Sequence, residues 1–323
     1  MKRRAFLSLF GTVVAWPLVT YAQQPKVPRI GYLALRASPS ELDEAFKQGL
    51  HELGWIEGQN IVIEYRWAAG KADRLPALAE ELVRLPVDLI VAWATPVVQA
   101  AKAATQSIPI VGLAADPVGT GLVASLARPG GNITGMSGIG PELAGKRLEL
   151  LRTLLPTLSR VAFLAYEGDP AHRRFLQEAQ DATARLGMQL QPLVIGSVEE
   201  IERAFVAMRS ERAEALMVQP LFTGDLRQGQ RIADLAVLHR LPTVSSQRGF
   251  AEAGGLLSYG VDPLASYRRC AIFADKILKG ANPGDLPVEQ PTTFKLVINL
   301  KTAKTLGLDV PPILLATADE VIE

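Results

Sequence analysis

Short apolar runs alternate along this chain with stretches in which apolar residues recur every three or four positions. RIGYLAL (29–35), DLIVAWA (88–94), IPIVGLA (108–114), RVAFLAY (160–166) and LLSYG (256–260) are runs of the first kind. Such runs, bounded by turn residues, read as strands buried on both faces. Each is followed by a pair in which Ser, Thr or Asp precedes Pro: Ser38-Pro39, Thr95-Pro96, Asp116-Pro117, Asp169-Pro170 and Asp262-Pro263. The short oxygen-bearing side chain suits a helix N-cap, because it accepts a free backbone N–H. Pro suits the first helical position, where no hydrogen bond is lost. Each pair therefore predicts a strand, a cap and a helix. In an open parallel α/β sheet that junction lies at the carboxyl ends of the strands, where ligands bind.

The helical period is clearest after Ser38, where Leu42, Ala45, Phe46, Gly49, Leu50 and Leu53 share one face. Ser38 and Glu41 have the spacing of a capping box, and Gly54 is placed to end the helix. NIVIEYRWA, from Asn60, alternates as a strand. Helices are expected at 74–85, 96–105 and 119–127, and strands at 88–93, 109–114 and 133–138. A second unit opens with the helix GKRLELLRTLL (145–155). It continues through strand RVAFLAY, a helix over 171–186, strand QLQPLVI, and further helices at 198–208 and 225–239 between strands near 214–219, 242–246 and 256–260. Leu53-Gly54-Trp55 before one strand is mirrored by Leu186-Gly187-Met188 before another. The two halves read as duplicated architecture, each a parallel doubly wound sheet. A helix from Pro263 to Lys279, a Pro-rich link, strand FKLVINL and a short helix closing at Gly307 follow. The link implies that the chain changes lobe again. The fold class is α/β, with two Rossmann-like doubly wound lobes joined by a three-crossing hinge. Lobe 1 comprises 23–139 and 261–285, and lobe 2 comprises 140–260 and 286–323. Hinges are expected near Ile139–Pro141, Gly260–Asp262 and Pro287–Pro291.

The 323 residues suit about two domains, and 48% are apolar, enough for two cores. Without Lys2, Arg3 and Arg4 there are 31 basic against 33 acidic residues, a balance of −2. That balance argues against a nucleic-acid partner. MKRR, then FLSLFGTVVAWPLV, then Thr20-Tyr21-Ala22 has the order of a secretory signal, with cleavage near Ala22. Arg3-Arg4-Ala5-Phe6-Leu7 also fits a twin-arginine signal, so general and twin-arginine export both stand. Cys270 is the sole cysteine, which excludes an intramolecular disulfide. It falls on an apolar helical face and reads as a buried small hydrophobe.

Gly119, Gly121 and Ala124 match G-x-G-x-x-A, a dinucleotide fingerprint, but Asp116-Pro117 intervenes between strand and glycines. Gly135-Met136-Ser137-Gly138-Ile139 misses the hydrolase elbow at its last position. His51, His172 and His239 show no metal-ligand spacing. No catalytic residue, metal site or cofactor is assigned. The strand-end caps carry more. Free N–H groups at a helix start favour a carboxylate, and Asp116 suits an ammonium group. By the strand-end rule two or three of the five caps contact ligand, and the others only cap their own helices. Tyr166 and Phe222 are aromatic candidates from the second unit, and Gln247 with Arg248 follows a strand end.

LGWIEGQNIVIEYRWA, DPVGTGLVASLARPGGNITG, GKRLELL and NLKTAKTLGLDVPPILLATADEVI together resemble the ABC-transporter substrate-binding proteins related to the tryptophan-binding component TrpX. The resemblance implies a type I periplasmic-binding-protein fold. It implies a periplasmic solute-binding protein, not an enzyme, that delivers a small ligand (amino-acid-like or an aromatic carboxylate) to a membrane permease and ATPase. Ser38, Thr95 and Asp116 would hold the ligand from one lobe. Tyr166, Asp169, Phe222 and Gln247 would close from the other, with Asp262 at a return crossing. The chain is expected to act as a monomer. A ligand-binding component of a sensory system and a nucleotide-using α/β enzyme remain as alternatives.

Overall fold

The computed structural model describes residues 27–223 and 226–323, with only the backbone of Thr223 and Leu226. The expected export signal at 1–22 lies outside these residues. The first unit runs β1 (Arg29–Ala34), α1 (Glu41–Glu52), β2 (Val62–Trp67), α2 (Leu75–Arg84), β3 (Leu89–Trp93), α3 (Thr95–Ala104), β4 (Ile110–Ala115) and β5 (Ile133–Gly138). These strands form a parallel sheet in the order β2-β1-β3-β4-β5. Period-2 alternation divides each strand between two cores. Ile30, Tyr32 and Ala34 pack with Phe46 and Leu50 of α1, while Leu33, Ile90 and Ala92 pack with Leu82 of α2 and Val98 of α3.

The second unit runs α4 (Ala144–Leu154), β6 (Arg160–Tyr166), α5 (His172–Arg185), β7 (Gln189–Ile195), α6 (Ile201–Ser210), β8 (Ala215–Val218), α7 (Pro220–Thr223), α8 (Leu226–Leu238), β9 (Thr243–Ser245), α9 (Arg248–Glu252) and β10 (Leu257–Val261). The chain then forms α10 (Pro263–Leu278), β11 (Phe294–Asn299), α11 (Leu300–Leu306), α12 (Pro312–Thr317) and β12 (Glu320–Ile322). The second sheet has the order β7-β6-β8-β9-β10-β11-β12, with β11 antiparallel to β10. Its first five strands repeat the winding of the first sheet, so the duplication is real in three dimensions. The Leu-Gly pairs are its local counterpart. Gly54 at φ +90° and Gly187 at φ +68° end α1 and α5. Trp55 N–H returns to Leu50 O and Met188 N–H to Thr183 O, both at 2.9 Å. Only a residue free to take positive φ makes this stop at low cost.

The first two crossings leave from the carboxyl ends of strands, and the third enters β11 beside the carboxyl end of β10. β5 passes through 139–143 into α4. β10 passes through Asp262 into α10, which packs against α1 of the first lobe. The third crossing follows Glu289, whose backbone pairs with Gly135 and Ser137 of β5. Leu286 and Val288 pack into first-lobe cores, so 286–289, expected in the second lobe, sits on the first. The link stays there because its backbone extends the β5 edge. Phe294, which begins β11, then pairs with Val261 at the end of β10. With every crossing on that side, the strand-end loops of both sheets border one gap.

The helix expected over 119–127 is absent. The segment is a succession of turns, with Thr120 N–H on Asp116 O at 3.0 Å and Leu122 N–H on Pro117 O at 2.8 Å. Two glycines close together and the Pro129 beyond them weaken helix formation. Leu122 and Val123 are held instead by burial in the core beside α3. The dinucleotide fingerprint consequently has no helix start behind its glycines. Cys270 is fully buried in α10.

Candidate functional site

The five cap-and-proline pairs divide sharply. Asp262 is a true N-cap, its carboxylate accepting Leu264 N–H at 3.0 Å and Ala265 N–H at 3.3 Å, with Pro263 first in α10. Its other oxygen takes Lys295 Nζ at 2.7 Å, which ties the second crossing to β11. Partial burial pushes this carboxyl up, but Lys295 and the two N–H groups outweigh that and hold it below the usual range.

The other four do something else. Ser38 is exposed in the loop after β1. The N-cap of α1 is Ser40, and its capping box is closed by Asp43, whose carboxylate takes Ser40 N–H at 2.6 Å. Asp43 wins because it is buried and fixed by other partners, whereas Glu41 is exposed. Thr95 lies inside α3, and Ala94 is the N-cap at φ +85°. The buried Thr95 hydroxyl accepts Ala115 N–H at 3.1 Å, so it fastens the β3 loop to the end of β4. Asp116, at φ +44°, closes its own turn by accepting Gly119 N–H at 2.9 Å. Left-handed Ala94 and Asp116, with Ala69 at φ +56°, place backbone strain just after β3, β4 and β2. Asp169 is buried and accepts Ala171 N–H at 2.9 Å, but α5 begins only at His172.

Asp169 belongs to a second-lobe network that the spacing of motifs could not show. Gln219, fully buried at the end of β8, donates from Nε2 to Asp169 Oδ2 at 2.6 Å. Its Oε1 accepts Tyr166 N–H at 2.7 Å. His172 Nδ1 lies 2.7 Å from the Asp169 carbonyl oxygen. Burial raises the Asp169 carboxyl above its ordinary range, against the Ala171 and Gln219 hydrogen bonds. The network joins the β6 and β8 loops and fixes Tyr166. That half-buried ring meets Phe222 edge-on at 5.8 Å between centroids. Phe222 itself is buried in the second-lobe core and braces Tyr166 from there. Gln247 is half-buried at the N-cap of α9, and its side chain caps nothing. Arg248 is engaged with Glu320 at 2.7 and 2.8 Å.

The first lobe carries an aromatic cluster around an ion pair between the partly buried Arg36 and the buried Asp43. Arg36, just beyond β1, bonds the Asp43 carboxylate and donates to the Tyr32 hydroxyl at 3.1 Å. Its guanidinium sits 5.3 Å from the Trp67 ring and 5.9 Å from the Tyr267 ring, cation–π contacts at the ends of β2 and α10. Tyr267 stacks on Trp93 at 4.0 Å, and Trp67 stacks on Tyr65 at 5.8 Å. Burial pushes the Tyr32 and Tyr267 hydroxyls well above the ordinary phenol range, so both stay protonated hydrogen-bond donors.

Arg147 completes the inventory. It lies on α4 at the first crossing and is only 2% exposed. Its Nε donates to Tyr259 O and one terminal nitrogen to Gly140 O, each at 2.8 Å. Burial lowers its pKa to about 10. Sequence reading missed Arg147 and Asp43, yet both sit on apolar helical stripes, Arg147 with Ala144, Leu148 and Leu151 and Asp43 with Phe46 and Leu50. A charge on a buried stripe is the signal that could have found them.

Comparison with known proteins agrees with this architecture. The family described as ABC transporter substrate binding protein matches residues 37–322. A tyrosine-binding protein of Clostridioides difficile is 29% identical over 287 residues, covering 88% of this chain and 82% of the relative. The crystal structure of an ABC domain in complex with L-Trp from Streptococcus pneumoniae superposes with a TM-score of 0.84 at 28% identity, covering 91% of this chain and 99% of that one. A conserved domain protein from Vibrio cholerae O1 biovar El Tor gives a TM-score of 0.85 at 26% identity, over 92% of this chain and 100% of that one.

Proposed function

The chain belongs to the ABC transporter substrate binding protein family, and on that premise we propose that it captures an aromatic amino acid between its lobes and presents it to a permease. The observation that carries the ligand class is Tyr166. Its ring is half-buried at a strand end, braced by Phe222 and locked through its backbone to Gln219. A flat ring held this way offers a face or edge to a second aromatic ring, worth about 0.5–1.5 kcal/mol beyond burial. The similar proteins that bind tyrosine and L-Trp point to the same class.

The protein has no catalytic task in this reading. It works as a monomer outside the cytoplasm, where the export signal read from 1–22 sends it. Ligand shifts the equilibrium from open to closed lobes, and the closed form docks. The lobes are 29–138 with 263–289, and 144–261 with 294–323.

Differential scanning fluorimetry of the mature chain against the twenty amino acids tests the reading. L-Tyrosine or L-tryptophan at 100 times its dissociation constant stabilises by about 2.7 kcal/mol through mass action. A melting temperature unmoved by every aromatic amino acid at millimolar concentration, but raised by aliphatic ones, refutes the aromatic assignment.

A further inference from the structure

The two guanidinium groups drawn under the strand ends are not treated alike. Arg36 has a carboxylate partner in Asp43. Arg147, more deeply buried, has only the carbonyl oxygens of Gly140 and Tyr259, and its second terminal nitrogen is buried with no hydrogen-bond partner. Glu142 acts on this guanidinium only from beyond ion-pair contact. A buried charge with no carboxylate in contact is costly, and leaving one of its hydrogen bonds unmade is costly again. An anion that reached such a donor would gain a charge-assisted hydrogen bond and relieve the unpaired charge.

The fork geometry says where that anion would sit. A guanidinium is planar, with its donors at fixed directions. Nε is directed at Tyr259, next to the second crossing, and one terminal nitrogen at Gly140, in the first crossing. The second terminal nitrogen therefore lies between those two directions, buried beside the first two crossings. Gly140 passes close to the Phe175 ring, where an added Cβ would sit 3.1 Å from it, so the segment that accepts from Arg147 is packed against α5. The hinge segments thus hold the fork by two of its arms and leave the third unpartnered.

We propose that Arg147 is the anchor for the ligand's carboxylate, received at the hinge end of the gap between the lobes. The assignment rests on the aromatic amino-acid reading for the identity of the ligand. A carboxylate seated there would neutralise the guanidinium and bridge the two crossings, so binding and hinge position become one event. A charge-assisted hydrogen bond of this kind is worth about 10- to 100-fold in affinity.

Calorimetric titration of the full chain with L-tyrosine and L-tryptophan, each beside its carboxamide, tests the anchor. The native protein is expected to hold the acid about 10- to 100-fold more tightly than the amide. In Arg147→Met the acid falls to the affinity of the amide, and Arg147→Lys restores part of the difference. A clasp that only shapes the hinge would weaken acid and amide equally, and an acid-to-amide ratio unchanged in both variants overturns the proposal. Should Arg147→Met not fold, Arg147→Lys and the native chain still decide, since equal native affinity for acid and amide also overturns it. Failure of both acids to bind the native chain counts against the aromatic reading instead. The anchor is then judged with formate against formamide, where stabilisation by formate that depends on Arg147 supports it and its absence overturns it.

Discussion

Replacing Gln219 with Met removes both arms of the amide while nearly keeping its volume, so packing changes little. Two groups lose partners. The Tyr166 N–H, now 2.7 Å from Gln219 Oε1 and only partly covered, loses about 1 kcal/mol. The Asp169 carboxylate, 5% exposed, loses a charge-assisted bond of 2.6 Å, which costs about 2–3 kcal/mol. The expected loss at pH 7 is therefore about 3–4 kcal/mol. It also has a pH signature. Burial already raises the folded-state pKa of Asp169, and losing Gln219 raises it further. A raised carboxyl penalises the fold when ionised, fully above the folded pKa, and the penalty vanishes once pH drops below the unfolded value of about 4. The gap between native and variant should thus narrow from pH 7 towards pH 4, leaving mainly the Tyr166 contribution. Urea unfolding at several pH values measures it. A loss below about 1 kcal/mol at pH 7, or one that is the same at every pH, refutes the reasoning.

Asp262→Ala removes an N-cap and the Lys295 pair, and should cost about 1–2 kcal/mol at pH 7. The Asp262 carboxyl is depressed in the fold, so its contribution is present above the unfolded pKa and is lost as pH falls through the folded one. Melting temperatures of the two proteins should converge in acid. Gly49→Ala should lower the melting temperature despite a better helix propensity, because its Cβ would sit 2.8 Å from both Ala271 Cβ and the Arg268 carbonyl oxygen. Arg36→Met should cost about 2–4 kcal/mol by leaving the buried Asp43 charge without its cation, and adding Asp43→Asn, which keeps acceptors for Ser40 and Tyr32, should recover part of it; a double-mutant cycle in chemical denaturation reads the coupling.

The strands and most helices were legible because each is a local statement about period and capping. β1, β3, β4 and β6 are runs that only a sheet covered on both faces can bury, and the Leu-Gly stops fix the ends of α1 and α5. The sites were less legible, because a Ser, Thr or Asp before Pro says only that a helix start is near. Whether Ser38 or Ser40 caps α1 depends on Asp43, which is fixed by Arg36 and Tyr32. Whether Thr95 faces ligand depends on Ala115, a neighbour in the next strand. Gln219 and Asp169 are 50 residues apart and meet only because β8 lies beside β6. Side-chain pairings between loops of adjacent strands have no period to betray them. The buried charges were the exception, since Arg147 and Asp43 interrupt apolar stripes that are visible in the sequence.

These pairings also bear on how the site would spend its binding free energy. The strand-end side chains are largely tied to one another before any ligand arrives: Thr95 to Ala115, Asp116 to Gly119, and Gln219 to Tyr166 and Asp169. Ordering loops on binding costs about 0.5–1.5 kcal/mol for each immobilised side chain, so walls already ordered avoid most of that loss. What remains is the hinge. Moving two lobes from nearly all open to nearly all closed takes about 5.5 kcal/mol of preference for the closed state. A ring against Tyr166 is held within one lobe and adds affinity without favouring closure; the preference comes from what forms as the lobes meet, namely burial of the aromatic side chain, about 1.5–3 kcal/mol, and a carboxylate that bridges the crossings on Arg147, about 1.5–3 kcal/mol. A ligand with the ring but no carboxylate, or the carboxylate but no ring, would bind without fully closing the lobes. Small-angle scattering of the chain with L-tyrosine, L-tyrosinamide and glycine should then show compaction with the first alone.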